Sequence, residues 1–515
     1  DLRAGADKAL LERADTLSQQ LNAKAQRQLL LTMQRGNETA LQELKREISE
    51  LEDEYNQVEA KIRTQARSQY AAVTQPQPLS LPEIQQQLDD NSLLLEYALG
   101  EERSWLWAIT KNSIASFPLP KRAAIENAAL QFRDLLITRG QRPRGETARQ
   151  REARITQAET QLPNAAAALS QIILSPVSSL LANRQLVIVA DGALQYVPFA
   201  ALPEPELRVA NAESRSVIPS PETRNSQLAA QNSQPLIVQH EIITLPSAST
   251  LAVLRKEIAH RPPAPKALAV FADPVFTPDD ARNRAPANKV RTPEETRTRN
   301  QTKTRSIVHE EESSAQQIND SLTIRRLPYT RLEAEQILAL VPKTESLKAT
   351  DFAATRTAAT NADLSQYRYV HFATHGLLDS ERPGLSSLVL SLIDETGKPQ
   401  DGFLRAKDIY QLRLPADLVV LSACQTGLGK EVKGEGLIGL TRGFMYAGAA
   451  RVVVSLWNVN DKATADFMTI FYRQMLKENQ RPAAALRIAQ IELWKQKQWQ
   501  APYYWAAFVL QGEWK

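Results

Sequence analysis

The stretch Tyr369-Val370-His371-Phe372-Ala373-Thr374-His375-Gly376 is a short apolar run that ends in a histidine and a glycine. Further along, Leu418-Val419-Val420-Leu421-Ser422-Ala423-Cys424-Gln425-Thr426-Gly427 repeats the pattern with a cysteine. Continuous β-branched and apolar runs bounded by small or turn-forming residues read as strands buried on both faces. Residues 186–190, 267–271 and 452–456 are three more such runs, separated by helical or loop segments. The pattern predicts an α/β fold with a mainly parallel sheet and helices on both faces. In open sheets of that kind ligands sit beyond the carboxyl ends of the strands. If these two strands are neighbours, His375 and Cys424 come within reach of each other.

Working outward, Leu93-Leu94-Leu95-Glu96-Tyr97-Ala98-Leu99, a Gly100-Glu101-Glu102 turn and Trp105-Leu106-Trp107-Ala108-Ile109 give a hairpin signal. A long polar, Arg- and Glu-rich helical stretch is expected from about 121 to 182. Upstream of Pro76, Pro78 and Pro82, which mark a linker, residues 8 to about 70 read as helix. Leu41, Leu44, Ile48, Leu51, Tyr55, Val58 and Ile62 step by three and four as a heptad seam, and Leu10, Ala14, Leu17 and Leu21 repeat the spacing. Gly36-Asn37 supplies a stop and a new N-cap between the two runs. The expectation is a helical segment over 1–75, either a hairpin that ends a helical array or a free-standing coiled coil. Residues 278–323 are rich in Arg, Thr, Asn, Glu and Pro and poor in large apolar side chains. They read as a mobile insertion in a unit spanning 80–515.

A thiol is a poor nucleophile until it becomes thiolate, and a nearby imidazole that takes its proton is the usual partner. Gly376 lets a main-chain N–H approach a substrate carbonyl, and with the Cys424 amide it makes a candidate oxyanion hole. Either residue alone has a plain competing reading, an inert core cysteine and a structural histidine. Their joint placement is what points to chemistry. A zinc site at His371 and His375 is disfavoured, because four residues along a strand span about 13 Å. His371 reads instead as a packed sheet residue. Gly427-Leu428-Gly429-Lys430 is followed by Glu431 and lacks the spacing of a phosphate loop. No Gly-x-Ser-x-Gly elbow appears either.

Taken together, His-Phe-Ala-Thr-His-Gly (371–376), Leu-Ser-Ala-Cys-Gln-Thr-Gly (421–427), Gly-Glu-Gly-Leu-Ile-Gly-Leu (434–440) and Val-Val-Ser-Leu-Trp-Asn-Val-Asn-Asp (453–461) resemble the core signatures of CHAT domains. These are caspase-related peptidases often found behind tetratricopeptide repeats. Residues 187–203 resemble their first-strand region, and the likeness covers roughly 80 to 515. It implies a caspase-like fold and a Cys-His dyad of Cys424 and His375. In relatives that cut after Arg or Lys, an acidic residue lies just beyond the strand that follows the cysteine strand, and Asp461 occupies that kind of position. A carboxylate there would bind a guanidinium bidentately and repel an acidic P1 side chain. The competing reading of Asp461 is a helix N-cap ahead of 463–466. If cleavage follows Arg, then Arg282, Arg284, Arg291, Arg297 and Arg299 in the insertion, and Lys430 and Lys433 after the cysteine, are candidate sites of self-cleavage or inhibition.

The totals fit this reading. The 515 residues are 43% hydrophobic and 23% charged, which are globular values, and suffice for two or three domains. A net charge of +4 with dispersed basic residues gives no case for nucleic acid or an anionic membrane as partner. The single cysteine excludes an internal disulfide and suits a reducing, cytoplasmic setting. No run approaches the roughly 20 apolar residues of a membrane span. Asp1-Leu2-Arg3 lacks an initiator methionine and an apolar signal segment, so the sequence reads as part of a longer chain. The expected activity is a cysteine endopeptidase needing no cofactor, acting on a protein or peptide and regulated by a protein partner at its N-terminal helices. The alternatives are a catalytically silent caspase-like scaffold, which would have no need of both His375 and Cys424, and acyl transfer on small substrates through the same dyad.

Overall fold

The computed structural model describes residues 7–33, 38–65, 78–143, 145–205, 234–259, 261–283, 324–378, 383–422, 424–427 and 435–515, with 424–427 described as backbone. In chain order the strands are β1 (Ser92–Ala98), β2 (Ser104–Ile109), β3 (Ile114–Leu119), β4 (Gln185–Val189), β5 (Ile242–Thr244), β6 (Lys266–Pro274) and β7 (Ser346–Asp351). Then come β8 (Tyr367–Ala373), β9 (His375–Leu378), β10 (Ser387–Val389), β11 (Phe403–Arg405), β12 (Leu418–Leu421), β13 (Cys424–Gly427), β14 (Arg451–Ser455) and β15 (Phe508–Gly512). Eleven of them form one sheet in the order β3-β2-β1-β4-β5-β15-β14-β12-β8-β6-β7, and β11-β10-β9-β13 form a second.

The five apolar runs are the parallel strands β4, β6, β8, β12 and β14, and their central residues are fully buried. Helices cover them because β-branched runs without alternation have no face to give to water. Phe271 of β6 stacks on Phe372 of β8 with ring centroids 5.1 Å apart, and Phe372 in turn meets Phe444 at 5.7 Å. The expected β1–β2 hairpin is present, extended by β3 as an edge strand that accommodates Pro118. β7 escapes a sequence reading because Ser-Leu-Lys-Ala-Thr-Asp is mostly polar, as an edge strand can be. The strands of the second sheet are three or four residues long, too short for a period to show.

The helical stretch expected over 121–182 is two packed helices, Arg122–Ile137 and Ala148–Ile173. Between them Gly140 passes so close to Tyr503 that a Cβ there would come 2.6 Å from the hydroxyl. Thr147 then starts the second helix with a capping box to Gln150.

Ahead of the sheet lie two helices, α1 (Lys8–Met33) and α2 (Glu38–Gln65). Ala14 and Leu17 of α1 pack with Val58 and Ile62, and Leu21 packs with Leu44 and Ile48, so the pair is antiparallel along the heptad seam. It does not stand free. Leu385 joins the Leu21 cluster, Asn22 Nδ2 donates to Asp408 Oδ1 at 3.4 Å, and Arg405 donates to the Asn22 carbonyl at 3.2 Å. Gly36-Asn37, expected to separate the helices, lies outside the described residues, as do 284–323 of the expected insertion and Lys430 and Lys433. The described start of that insertion is anchored: Arg282 donates to Asp280, to Asp351 and to the Asp273 carbonyl.

Candidate active site

β8 and β12 are adjacent and parallel, with Phe372 opposite Leu421. Both segments leave the large sheet at the same level and enter the second one. There β13 runs parallel to β9, and Cys424 stands opposite His375. Paired strands lie about 4.8 Å apart, so the backbone register alone makes these two residues neighbours. Thr374, between β8 and β9, is buried and donates its hydroxyl to the Val389 carbonyl of β10, which pins the corner. Gly376 follows in register between Leu388 of β10 and Gln425 of β13.

His375 is 6% exposed, with the Phe276 ring 5.3 Å from its own. Its Nε2 lies 2.6 Å from the Arg325 carbonyl oxygen. A carbonyl only accepts, so Nε2 carries the proton and Nδ1 holds the free lone pair. Nδ1 is buried and has no hydrogen-bond partner among the described residues. Burial lowers the imidazole's pKa, against a smaller upward pull from the Arg325 carbonyl, and keeps the ring neutral. A neutral, oriented imidazole with an open lone pair is equipped to accept a proton.

Asp461 opens the helix Asp461–Leu476 after β14, the next parallel neighbour of β12. The N-cap is Asn460, whose side chain accepts the Ala463 N–H at 3.0 Å. That leaves the Asp461 carboxylate to accept the Tyr329 N–H at 2.9 Å. Burial raises its pKa to about 7; the Tyr329 hydrogen bond opposes the rise, while Glu333 and Asp273 add to it by repulsion. No basic side chain pairs with Asp461 among the described residues.

Sequence reasoning missed the groups that brace the site. Asp273, at the end of β6, has a positive φ of 49° and is 1% exposed. Arg326 binds both its oxygens, at 2.8 and 2.7 Å, and Arg331 donates to Oδ2 at 2.9 Å. Arg282 reaches the same oxygen at 3.1 Å, and both Arg282 and Arg331 also bind Asp351 at the end of β7. Burial pushes Asp351 up, but hydrogen bonds from Arg331 and Arg282 outweigh it and leave the carboxyl below its usual range. Asp273 and Asp351 are thus supplied with cations, whereas Asp461 is not. The only sequence signal was an Asp-Pro closing an apolar run. Arg282 follows nine residues later in a polar stretch, and Arg326 and Arg331 lie 53 and 58 residues further along.

His371 is fully buried and shares a hydrogen bond of 3.2 Å between its Nδ1 and the Tyr472 hydroxyl. Its Nε2 stands 2.9 Å from Glu333 Oε1, outside hydrogen-bond geometry. It is a packed sheet residue, turned to different partners from those of His375.

Adjacent parallel strands that hand a histidine and a cysteine to one end of a mainly parallel, helix-flanked sheet make this a caspase-like α/β fold. The chain belongs to the CHAT domain family, whose model matches residues 163–513 and so includes His375, Gly376, Cys424 and Asp461. Tetratricopeptide repeat protein 28 from Homo sapiens is 40% identical over 113 residues, 22% of this chain and 4% of its own length. Its Mus musculus counterpart is 39% identical over 109 residues, 21% of this chain and again 4% of its own. The chain therefore spans a small part of these relatives. Among solved structures, the Saccharomyces cerevisiae separase–securin complex aligns with a TM-score of 0.43 at 12% identity, covering 88% of this chain and 32% of that one. The Arg-specific cysteine proteinase gingipain R aligns with a TM-score of 0.35 at 10% identity, covering 76% and 74%. Among the described residues no single helix is long and apolar enough to cross a membrane.

Proposed function

We propose that this chain is a cysteine endopeptidase that cuts after Arg or Lys, with Cys424 as nucleophile and His375 as base. The observation that carries the reading is the β9–β13 register, Cys424 opposite a His375 whose Nε2–H is spent on the Arg325 carbonyl. In this scheme the thiol proton passes to Nδ1 and the sulfur attacks the scissile carbonyl carbon. The Gly376 and Cys424 amides would stabilise the oxyanion. The imidazolium then gives its proton to the leaving nitrogen as the C–N bond breaks, and water hydrolyses the thioester with His375 again as base. Asp461 is the residue that would receive the basic side chain. It is a half-buried carboxylate near the site with no cation beside it among the described residues, and a guanidinium there would offset both its desolvation and its repulsion by Glu333 and Asp273. A scaffold reading draws on α1 and α2 alone, which are seated against Arg405 and Asp408. The relatives' name speaks of tetratricopeptide repeats, which are helix pairs, and we take α1–α2 as the place where a regulatory protein acts on the enzyme.

The test is labelling by an acyloxymethyl ketone with Arg at P1, alongside a peptide-library cleavage profile. Labelling of wild type but not of Cys424→Ala is expected, and Cys424→Ala or His375→Ala should each lower kcat/KM by at least ~1,000-fold. Absence of labelling together with tight binding of a protein partner would favour the scaffold. Asp461→Ala should abolish cleavage after Arg, and an unchanged P1 preference would remove that residue from the pocket.

A further inference from the structure

The helix Tyr329–Leu338 buries Thr330, Glu333, Ala334 and Ile337, the stripe that faces the sheet and its neighbouring helix. Its open stripe should be polar. Instead it begins with Tyr329, 40% exposed, and Leu332, 39% exposed. Among the described residues these are two of the four large apolar side chains left so open; the others are Ile114 of β3 and Leu130 of the helix Arg122–Ile137. Residues three apart on a helix are neighbours, so Tyr329 and Leu332 make one small apolar face.

Its place in the fold gives that face a meaning. The Tyr329 N–H is held by Asp461 at 2.9 Å, and four residues earlier the Arg325 carbonyl holds His375 at 2.6 Å. The face therefore starts at the lip of the candidate site, one turn from the carboxylate assigned to the basic side chain. Two side chains fall far short of the roughly 800 Å² per partner that a stable dimer requires. They match the footprint of one leucine, methionine or phenylalanine side chain.

We propose that Tyr329 and Leu332 receive an apolar side chain of the substrate polypeptide, close in sequence to its basic cleavage residue. The proposal rests on the peptidase reading and narrows its substrate class to segments that pair Arg or Lys with a nearby large apolar residue. An extended chain lying with its scissile bond at His375 and its basic side chain toward Asp461 has to pass the start of this helix. An apolar side chain that covers Leu332 gains the burial which the free protein lacks.

The experiment uses the full chain and a peptide set with a fixed Arg, in which each flanking position within three residues is scanned with Leu or Asp. Wild type should prefer Leu at one or more positions by about 10-fold in kcat/KM, the discrimination expected of a small apolar contact. Leu332→Ser should erase that preference through KM and leave a short reporter, with Arg as its sole side chain, unchanged. Leu332→Met should keep the preference. An unaltered Leu-over-Asp ratio in Leu332→Ser overturns the inference, as does an equal loss on the short reporter. A concentration-dependent dimer that Leu332→Ser abolishes would make the face a subunit contact and overturn it too. Binding of the same fluorescent peptides to Cys424→Ala reads the preference without turnover. If wild type cleaves nothing, the peptidase reading fails; if the Leu and Asp peptides bind Cys424→Ala equally well, the docking face fails on its own.

Discussion

His375 is buried and Asp461 half-buried, and desolvation moves the two in opposite senses because it disfavours whichever form is charged. For His375 the neutral form is the useful one: desolvation keeps the second proton off, and the Arg325 carbonyl, although it pulls the pKa the other way, fixes the tautomer. For Asp461 the charged form is the one a basic side chain would need, and the free protein holds it back. An acid whose folded pKa lies above its unfolded value costs stability as pH rises. Here the cost is absent below 3.8 and complete once the pH has passed about 7. Asp461→Asn should therefore raise unfolding stability by about 2–4 kcal/mol at pH 8 and by little at pH 4. Denaturant melts of both proteins at the two pH values measure this. An equal gain at both would mean that the group is not held protonated by its surroundings.

At the scale of elements, the segment 324–328 between the undescribed stretch and the helix at Tyr329 works as a strap. Ile324 packs against the cluster of Phe276, Leu377, Val389 and Phe403, and Arg325 offers its carbonyl to His375. Arg326 is clamped on Asp273, and the Tyr329 N–H reaches Asp461. Ile324, Arg325 and Arg326 thus touch different parts of the site, and Asp273 is the strap's main anchor. Removing one partner of a buried ion cluster leaves the others uncompensated and typically costs about 3–5 kcal/mol. Asp273→Asn, which keeps the shape and tolerates the positive φ, is expected to lower the unfolding free energy by about that amount. It should also cut peptide cleavage under conditions where the protein is still folded, because the strap that orients His375 loses its hold. Full activity in a folded Asp273→Asn protein would show that the strap positions nothing.

At the scale of the whole molecule, the helix pair α1–α2 sits on the same unit that carries the second sheet. Lys407 lies in that contact, 5% exposed, with its Nζ 5.8 Å from the centre of the Tyr55 ring and no hydrogen-bond partner among the described residues. Burial pushes its pKa down to about 7; Arg405 and Arg356 add to the fall, and Asp408 and Glu52 oppose it. A base whose folded pKa lies below its unfolded 10.5 costs stability in full below about pH 7, and the cost fades as pH rises toward 10.5. Lys407→Met should stabilise the protein by ~3 kcal/mol at pH 7, with the advantage shrinking toward pH 10. Midpoints of urea unfolding across that range test it, and a destabilised Lys407→Met would mean that the ammonium is better satisfied than its surroundings indicate.

Much of this was legible from local pattern. Continuous apolar runs marked the five parallel strands, and the heptad spacing marked both N-terminal helices, because strand and helix periods are written residue by residue. The runs also identified His375 and Cys424 as strand-end residues, since burial stops where the small and polar residues begin. The adjacency of those ends was not legible, because strand order in a sheet is set by crossovers and not by sequence distance. The same holds for Asp273 with Arg326, and for Asp461 with Tyr329, which come from segments far apart in the chain. The sequence by itself determined the fold class and the chemical types available at the site. Only the tertiary structure decided which nitrogen of His375 is free and that Asp273 and Asp351 meet arginines while Asp461 does not. Both depend on desolvation and on partners that folding alone brings together.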